Sequence, residues 1–134
     1  MDTKIPRGIR NNNPLNIRIG NSWLGEVENP TDKEFEQFIS IKYGLRAAFV
    51  LLRRYIKRYG LRTIRDIISR WAPSSENNTR AYINDVCRWT DLSELEELAF
   101  EDKTTMCYLV WAMARFETGY SIDYSDIFDA YDMV

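Results

Sequence analysis

The chain has 134 residues, enough for one domain with a hydrophobic core that needs neither metal nor disulfide to hold it. With 45% apolar and 28% charged residues, no apolar stretch of membrane-spanning length and no apolar run after the charges of MDTKIPRGIR, it reads as a soluble globular domain. It also reads as made in the cytoplasm without a signal peptide and delivered by other means to any target outside. The sequence has no histidine, which excludes Ser-His-Asp and Cys-His machinery in their usual forms and the common zinc hydrolase sites. The six glycines are isolated and build no phosphate loop, so any catalysis must run on carboxylates, hydroxyls and amides, with no metal or cofactor.

The net charge of −2 hides an asymmetry. Residues 1–72 carry 14 Lys/Arg and 7 Asp/Glu, whereas residues 73–134 carry 4 and 13. A basic half can attract an anionic polymer, nucleic acid or an acidic wall component. Arg53, Arg54, Lys57 and Arg58 equally suit the solvated face of a helix, and no nucleic-acid partner is expected. Cys87 and Cys107 fall in apolar, helix-like segments without metal spacing and read as reduced core thiols.

In chain order, residues 1–43 are not regular helix. Asn11-Asn12-Asn13-Pro14 is a turn signal, because Asn tolerates unusual backbone angles and Pro fixes its own. Extended pieces at 16–19 and 22–27, joined near Gly20-Asn21, suggest a small β-hairpin. Helical periodicity begins at Gly44, with Leu45, Ala48, Phe49, Leu52, Ile56 and Tyr59 on one face up to Gly60. Ile64, Ile67, Ile68 and Trp71 mark a second helix stopped by Pro73. Asn77 to Trp89 gives a third, and Ser93 with Glu96 reads as the capping box of a short fourth. Lys103 to Thr118 is a fifth, and Ser121 to Tyr131 a weaker, acidic sixth. No repeat or linker divides residues 1–134.

The fifth helix is apolar on nearly all sides, the pattern of a central buried helix. Met106, Val110, Met113 and Glu117 share one stripe, so a carboxylate sits where the core stripe ends. Burial beside Met113 and Phe116 and the negative end of the helix dipole both disfavour its charged form, and Gly119 would end the helix and open space for a ligand. A raised carboxyl pKa suits a general acid, which glycosidic cleavage needs at the leaving oxygen. The same periodicity also fits a solvated helix end paired with Arg80, Arg88 or Arg115. A second constellation, Trp71 through Glu76, Asn77 and Thr79 to Tyr82, combines an aromatic with amides and hydroxyls. It suits a sugar and equally an ordinary loop with an N-cap at Asn77 or Asn78.

Several segments together are specific: Arg7-Gly8-Ile9-Arg10-Asn11-Asn12-Asn13-Pro14-Leu15-Asn16-Ile17-Arg18, Trp23-Leu24-Gly25, Phe35-Glu36-Gln37-Phe38, Gly44-Leu45-Arg46-Ala47, Trp71-Ala72-Pro73 with Glu76-Asn77, and Glu117-Thr118-Gly119. Over residues 7–120 they resemble a phage family of structural or virion-associated lytic proteins. They are similar to the peptidoglycan-degrading lytic protein of enveloped double-stranded-RNA phages, whose fold is like that of lytic transglycosylases. The chain also resembles glucosaminidase-like wall hydrolases, in which an apolar helix ending in a catalytic Glu precedes an Asn-rich segment, a Trp-x-Gly hairpin and a helix. Here that helix, LVWAMARFETGY, comes last.

The resemblance implies a mainly α, lysozyme-like domain that is circularly permuted, a rearrangement that close termini permit. It implies Glu117 as catalytic acid, with Asn13, Asn16, Trp71, Glu76, Asn77, Thr79 and Tyr82 as substrate-binding candidates. Thr118 stands where related members tend to have Asn.

The implied partner is bacterial peptidoglycan at the cell wall or periplasm, with other virion proteins as further partners and a monomer as the expected state. A lytic transglycosylase needs one acid/base, because the sugar's own hydroxyl attacks; a muramidase usually needs a second carboxylate. Glu26 and Glu28 are the candidates for it, Glu26 preferred. The phage relative is an endopeptidase despite its fold, so cleavage of the peptide bridge stays open, as do a non-catalytic wall-binding or virion module and a nucleic-acid binder.

Overall fold

The computed structural model describes residues 4–75 and 77–134. It is mainly helical, with helices α1 (Arg7–Arg10), α2 (Ile41–Lys57), α3 (Ile64–Trp71), α4 (Thr79–Thr90), α5 (Lys103–Thr118) and α6 (Tyr124–Asp132). Local chemistry fixes the ends. Thr63, Asn78, Asp102 and Asp123 accept backbone N–H bonds from the first turns of α3, α4, α5 and α6. Gly119 closes α5 in the left-handed conformation (φ 78°) with its N–H on the Arg115 carbonyl.

Helix α5 is the hub and packs against α1, α2, α4 and α6. Met106, Cys107, Leu109, Val110, Ala112, Met113 and Ala114 are completely buried. One strip of α5 departs from the expected all-round burial: Tyr108 is exposed and Trp111 and Arg115 are half-buried. There Arg115 lies 4.2 Å over Trp89, and Trp111 stacks on Tyr124. Helix α6 covers α2 and α5 with Ile127 and Ala130, while Lys42 pairs with Asp129 and Lys103 with Asp132. Both thiols are free, Cys107 in the core and Cys87 half-buried. Among the described residues no helix is long and apolar enough to cross a membrane.

Two expected elements are replaced. The Ser93–Glu96 capping box does not open a helix; Glu96 N–H closes a turn on the Ser93 carbonyl. The following segment runs extended, burying Leu98 and Phe100 alternately and bonding Leu98 N–H to the Arg62 carbonyl. The hairpin between 16–19 and 22–27 does not form either. Ile17 already exchanges both backbone groups with the Asn13 side chain, and its carbonyl also takes Glu36 N–H. Both pieces turn instead to residues 34–39, through the antiparallel bridges Arg18 to Phe35 and Glu26 to Phe38.

The segment before α2 is held by polar bonds more than by apolar contact. Asp32 receives a two-pronged bond from Arg7 (2.7 Å each), one from Asn11 and the backbone N–H groups of Glu34 and Phe35. These donors, Arg7 first, hold its carboxyl far below the usual carboxylate range. The Asn12 carbonyl lies so close to Gly44 in α2 that a Cβ there would sit 1.8 Å from it. Gly44→Ala should therefore drive the Asn-rich turn off α2 and lower stability by about 2–3 kcal/mol, read by urea unfolding. An unchanged midpoint would mean that this approach is not a constraint.

Candidate functional site

The C-terminal turn of α5 places Glu117 half-buried at the floor of a cleft of about 230 Å³. Its other walls are Asn16, Arg18, Phe35, Trp71, Ala72 and Asn77. Glu117 thus meets the N-terminal turn and the α3–α4 loop, segments remote in sequence. None of the three arginines considered as helix-end partners neutralises it. Arg80 pairs with Glu94, Arg88 with Asp85, and Arg115 stacks on Trp89.

Two neutral donors hold the carboxylate instead. Asn16 Nδ2 donates to Oε1 at 2.9 Å and the Tyr82 hydroxyl to Oε2 at 3.0 Å. Burial pushes the Glu117 carboxyl above its usual value; the bonds from Asn16 and Tyr82 and the charge of Arg18 oppose this without cancelling it. Tyr82 is itself fully buried and stacks on Phe116 with ring centroids 4.1 Å apart. Its burial, then the neighbouring carboxylate, raise the phenol well above its ordinary pKa, so it remains a donor. Its oxygen is also 3.5 Å from the Met113 carbonyl, a second acceptor for that proton when Glu117 becomes protonated.

Asn16 reaches this place because its backbone is left-handed (φ 53°), a conformation Asn tolerates, and because Gly8 leaves room. A Cβ on Gly8 would come within 2.9 Å of Asn16 Oδ1. That oxygen is buried and has no hydrogen-bond partner among the described residues. Trp71 is fixed by its indole N–H on the Leu15 carbonyl (3.1 Å) and packs edge-on against Tyr55. Thr79 does not extend the cleft wall; its hydroxyl donates to the Ala72 carbonyl and pins the α3–α4 loop. Asn77 is exposed and lines the cleft directly. Glu76 lies outside the described residues.

Three sequence candidates have other duties. Asn13 is fully buried with its amide spent on Ile17 and the Glu36 carbonyl, so it shapes the turn and offers nothing to a ligand. Tyr82 acts through Glu117 and is too buried to line the cleft. Glu26 is not among the residues lining the cleft with Glu117. Its carboxylate accepts Trp23 N–H (2.8 Å) and hydrogen-bonds to Glu36. The register explains this meeting, since Glu26 stands opposite Phe38 and Glu36 is two residues before it on the same side.

Arg18 and Phe35 belong to the cleft although periodicity singled out neither. Their antiparallel bridge sets them side by side, and the Arg18 guanidinium lies 5.0 Å from the Phe35 ring centre. Glu36 was likewise unforeseen. It is 5% exposed, and burial, then the bond and charge of Glu26, push its carboxyl up to about 7. A carboxyl whose folded pKa exceeds its unfolded value contributes stability below about 4.5 that is lost as pH rises through 7. Glu36→Gln, which mimics the protonated form, should therefore raise Tm at pH 8 by on the order of 5 °C and leave it little changed at pH 4.5. Parallel Tm curves for the two proteins between those limits would contradict the assigned proton.

No protein-family model matches the chain. Protein P5 of Pseudoalteromonas phage PM2 is 43% identical over 117 residues, spanning 84% of this chain and 71% of that protein. The chain belongs to the family of that phage protein.

Proposed function

We propose that this member of a phage protein family is a virion-associated enzyme that degrades peptidoglycan, cleaving the glycan strand by lytic transglycosylase chemistry on a permuted lysozyme-like domain. The observation that carries the reading is Glu117: a carboxyl raised by burial, held between two neutral donors, at the floor of a polar cleft with aromatic walls. A group that favours its proton but sits where water and substrate can reach it suits general acid chemistry.

Protonated Glu117 gives its proton to the glycosidic oxygen as the bond to the anomeric carbon breaks. The carboxylate so formed then takes the proton of the sugar's own C6 hydroxyl, whose oxygen closes on that carbon to leave a 1,6-anhydro end. No second carboxylate is required, and Glu117 is the one acidic residue among the described residues that line the cleft. Glu26 and Glu36, tied to each other, do not supply the second acid a muramidase mechanism would use. The Tyr82 hydroxyl can follow the proton, donating to Glu117 when it is charged and to the Met113 carbonyl when it is not. A wall endopeptidase would need Glu117 to activate water against an amide with no metal ligand set among the described residues, a harder task for one raised carboxyl.

Fragments released from purified peptidoglycan, identified by mass spectrometry, test this. Wild type should produce anhydro-muramyl ends, and Glu117→Gln should reduce their release by about 10²–10⁴-fold. Reducing sugar ends would mean hydrolysis, free peptide ends an endopeptidase, and no fragments from several wall chemotypes a binding module.

Tyr82→Phe and Asn16→Ala each remove a donor to the charged form of Glu117. Each should therefore move the alkaline limb of the pH–rate profile to higher pH while lowering the maximum rate. A limb moved to lower pH would contradict the roles given to these donors.

A further inference from the structure

The cleft beside Glu117 does not end at Trp71. A second hollow of about 230 Å³ opens beside it, with Asn21, Leu51 and Tyr55 among its walls. Asn16, Arg18 and Trp71 line both hollows, so the two form one groove with Glu117 at one end. The second hollow has no acidic residue among its described lining, and Arg18 is its one charge. Next to this wall, on the Tyr55 ring, lies a second guanidinium: Arg70 is 5.5 Å from the Tyr55 ring centre and 4.5 Å from that of Tyr59. Neither guanidinium is well neutralised. Among the described residues Arg70 makes no ion pair, and Arg18 meets only Glu34, at 3.8 Å with both side chains more than half exposed. Such an exposed pair is weak. The surrounding chain, residues 46–70, holds eight Arg/Lys against the single acid Asp66.

We infer that this second hollow is an anion subsite that receives the carboxylate-bearing stem peptide of a peptidoglycan strand seated on Glu117. The assignment rests on the wall-degrading reading above. Arg18, in the wall of the hollow, supplies charge-assisted hydrogen bonds to a carboxylate, Arg70 on the Tyr55 ring adds a second positive charge nearby, and the rings of Tyr55 and Trp71 supply flat apolar surface. A stem peptide is the anion that continuity of the groove favours, because it is tethered to the glycan whose bond lies at Glu117. A diffuse basic face would attract any polyanion without needing that continuity.

Binding of the Glu117→Gln protein to immobilised glycan strands, freed of cross-links by an endopeptidase, tests the subsite without relying on cleavage. Strands that keep their stem peptides should bind about tenfold more tightly than strands stripped of stems by an amidase. Adding Arg70→Gln or Arg18→Gln, both at exposed positions, should reduce that ratio towards one. Adding Arg53→Gln with Arg58→Gln, basic residues outside the hollow, should leave the ratio in place. Equal binding to both kinds of strand would overturn the subsite. So would a ratio that survives loss of both Arg18 and Arg70, or one lost equally with Arg53 and Arg58. If the preference holds but wild-type protein releases no fragments, the cleavage reading fails and the subsite stands.

Discussion

Asn16 and Glu117 are 101 residues apart in the chain, and the 2.9 Å bond between them joins the N-terminal turn to the end of the central helix. Much of the site depends on that meeting. It requires a left-handed backbone at Asn16, a glycine at position 8 beneath it, and the Asn13 amide spent on Ile17. It also requires Asp32 to gather Arg7 and Asn11 so that the loop around residue 35 folds back beside Arg18. The polar residues of this segment are a scaffold for one carboxylate. Their dense hydrogen bonding offsets the small amount of apolar surface that residues 4–40 contribute to the core.

That scaffold also separates the acidic groups into two kinds. Glu117 is desolvated but opens on a cleft, and its two partners are neutral donors whose bonds moderate the effect of burial. Glu36 is desolvated more completely and faces another carboxylate, which makes its proton structural. The pKa of each is raised by its surroundings, yet Glu117 lines a cleft whereas Glu36 is 5% exposed, and that geometry distinguishes the proposed acid from a buried carboxyl. The same distinction removes Glu26 from the cleft despite its favourable place in sequence.

Helices were legible because their apolar stripes and caps are local. The periods over α2 and α3, the loop before α4 and the Gly119 stop of α5 all follow from neighbours a few residues apart. Glu117 was legible for the same reason, as the polar residue ending the stripe of Met106, Val110 and Met113. The pairings of residues 16–27 were not, because their partners at 34–39 are chosen by the Asn13 amide and Asp32, side chains whose targets periodicity does not encode. Asn13 and Tyr82 were legible as important but not in kind. A buried amide and a groove amide look alike in sequence, as do a tyrosine that touches sugar and one that touches the acid. Glu36 gave no signal because its meeting with Glu26 arises only from that unforeseen register.

The protonation of Glu117 is the point on which function and structure meet. Carboxyl-carbon NMR titration of protein labelled at glutamate, with Glu117→Gln to assign the resonance, measures it in the folded chain without any substrate. A midpoint clearly above 4.5 that rises further in Tyr82→Phe is the result expected from burial opposed by hydrogen bonding. A midpoint at or below 4.5, unmoved by loss of Tyr82, would mean a solvated helix end and would remove the acid from the proposed mechanism.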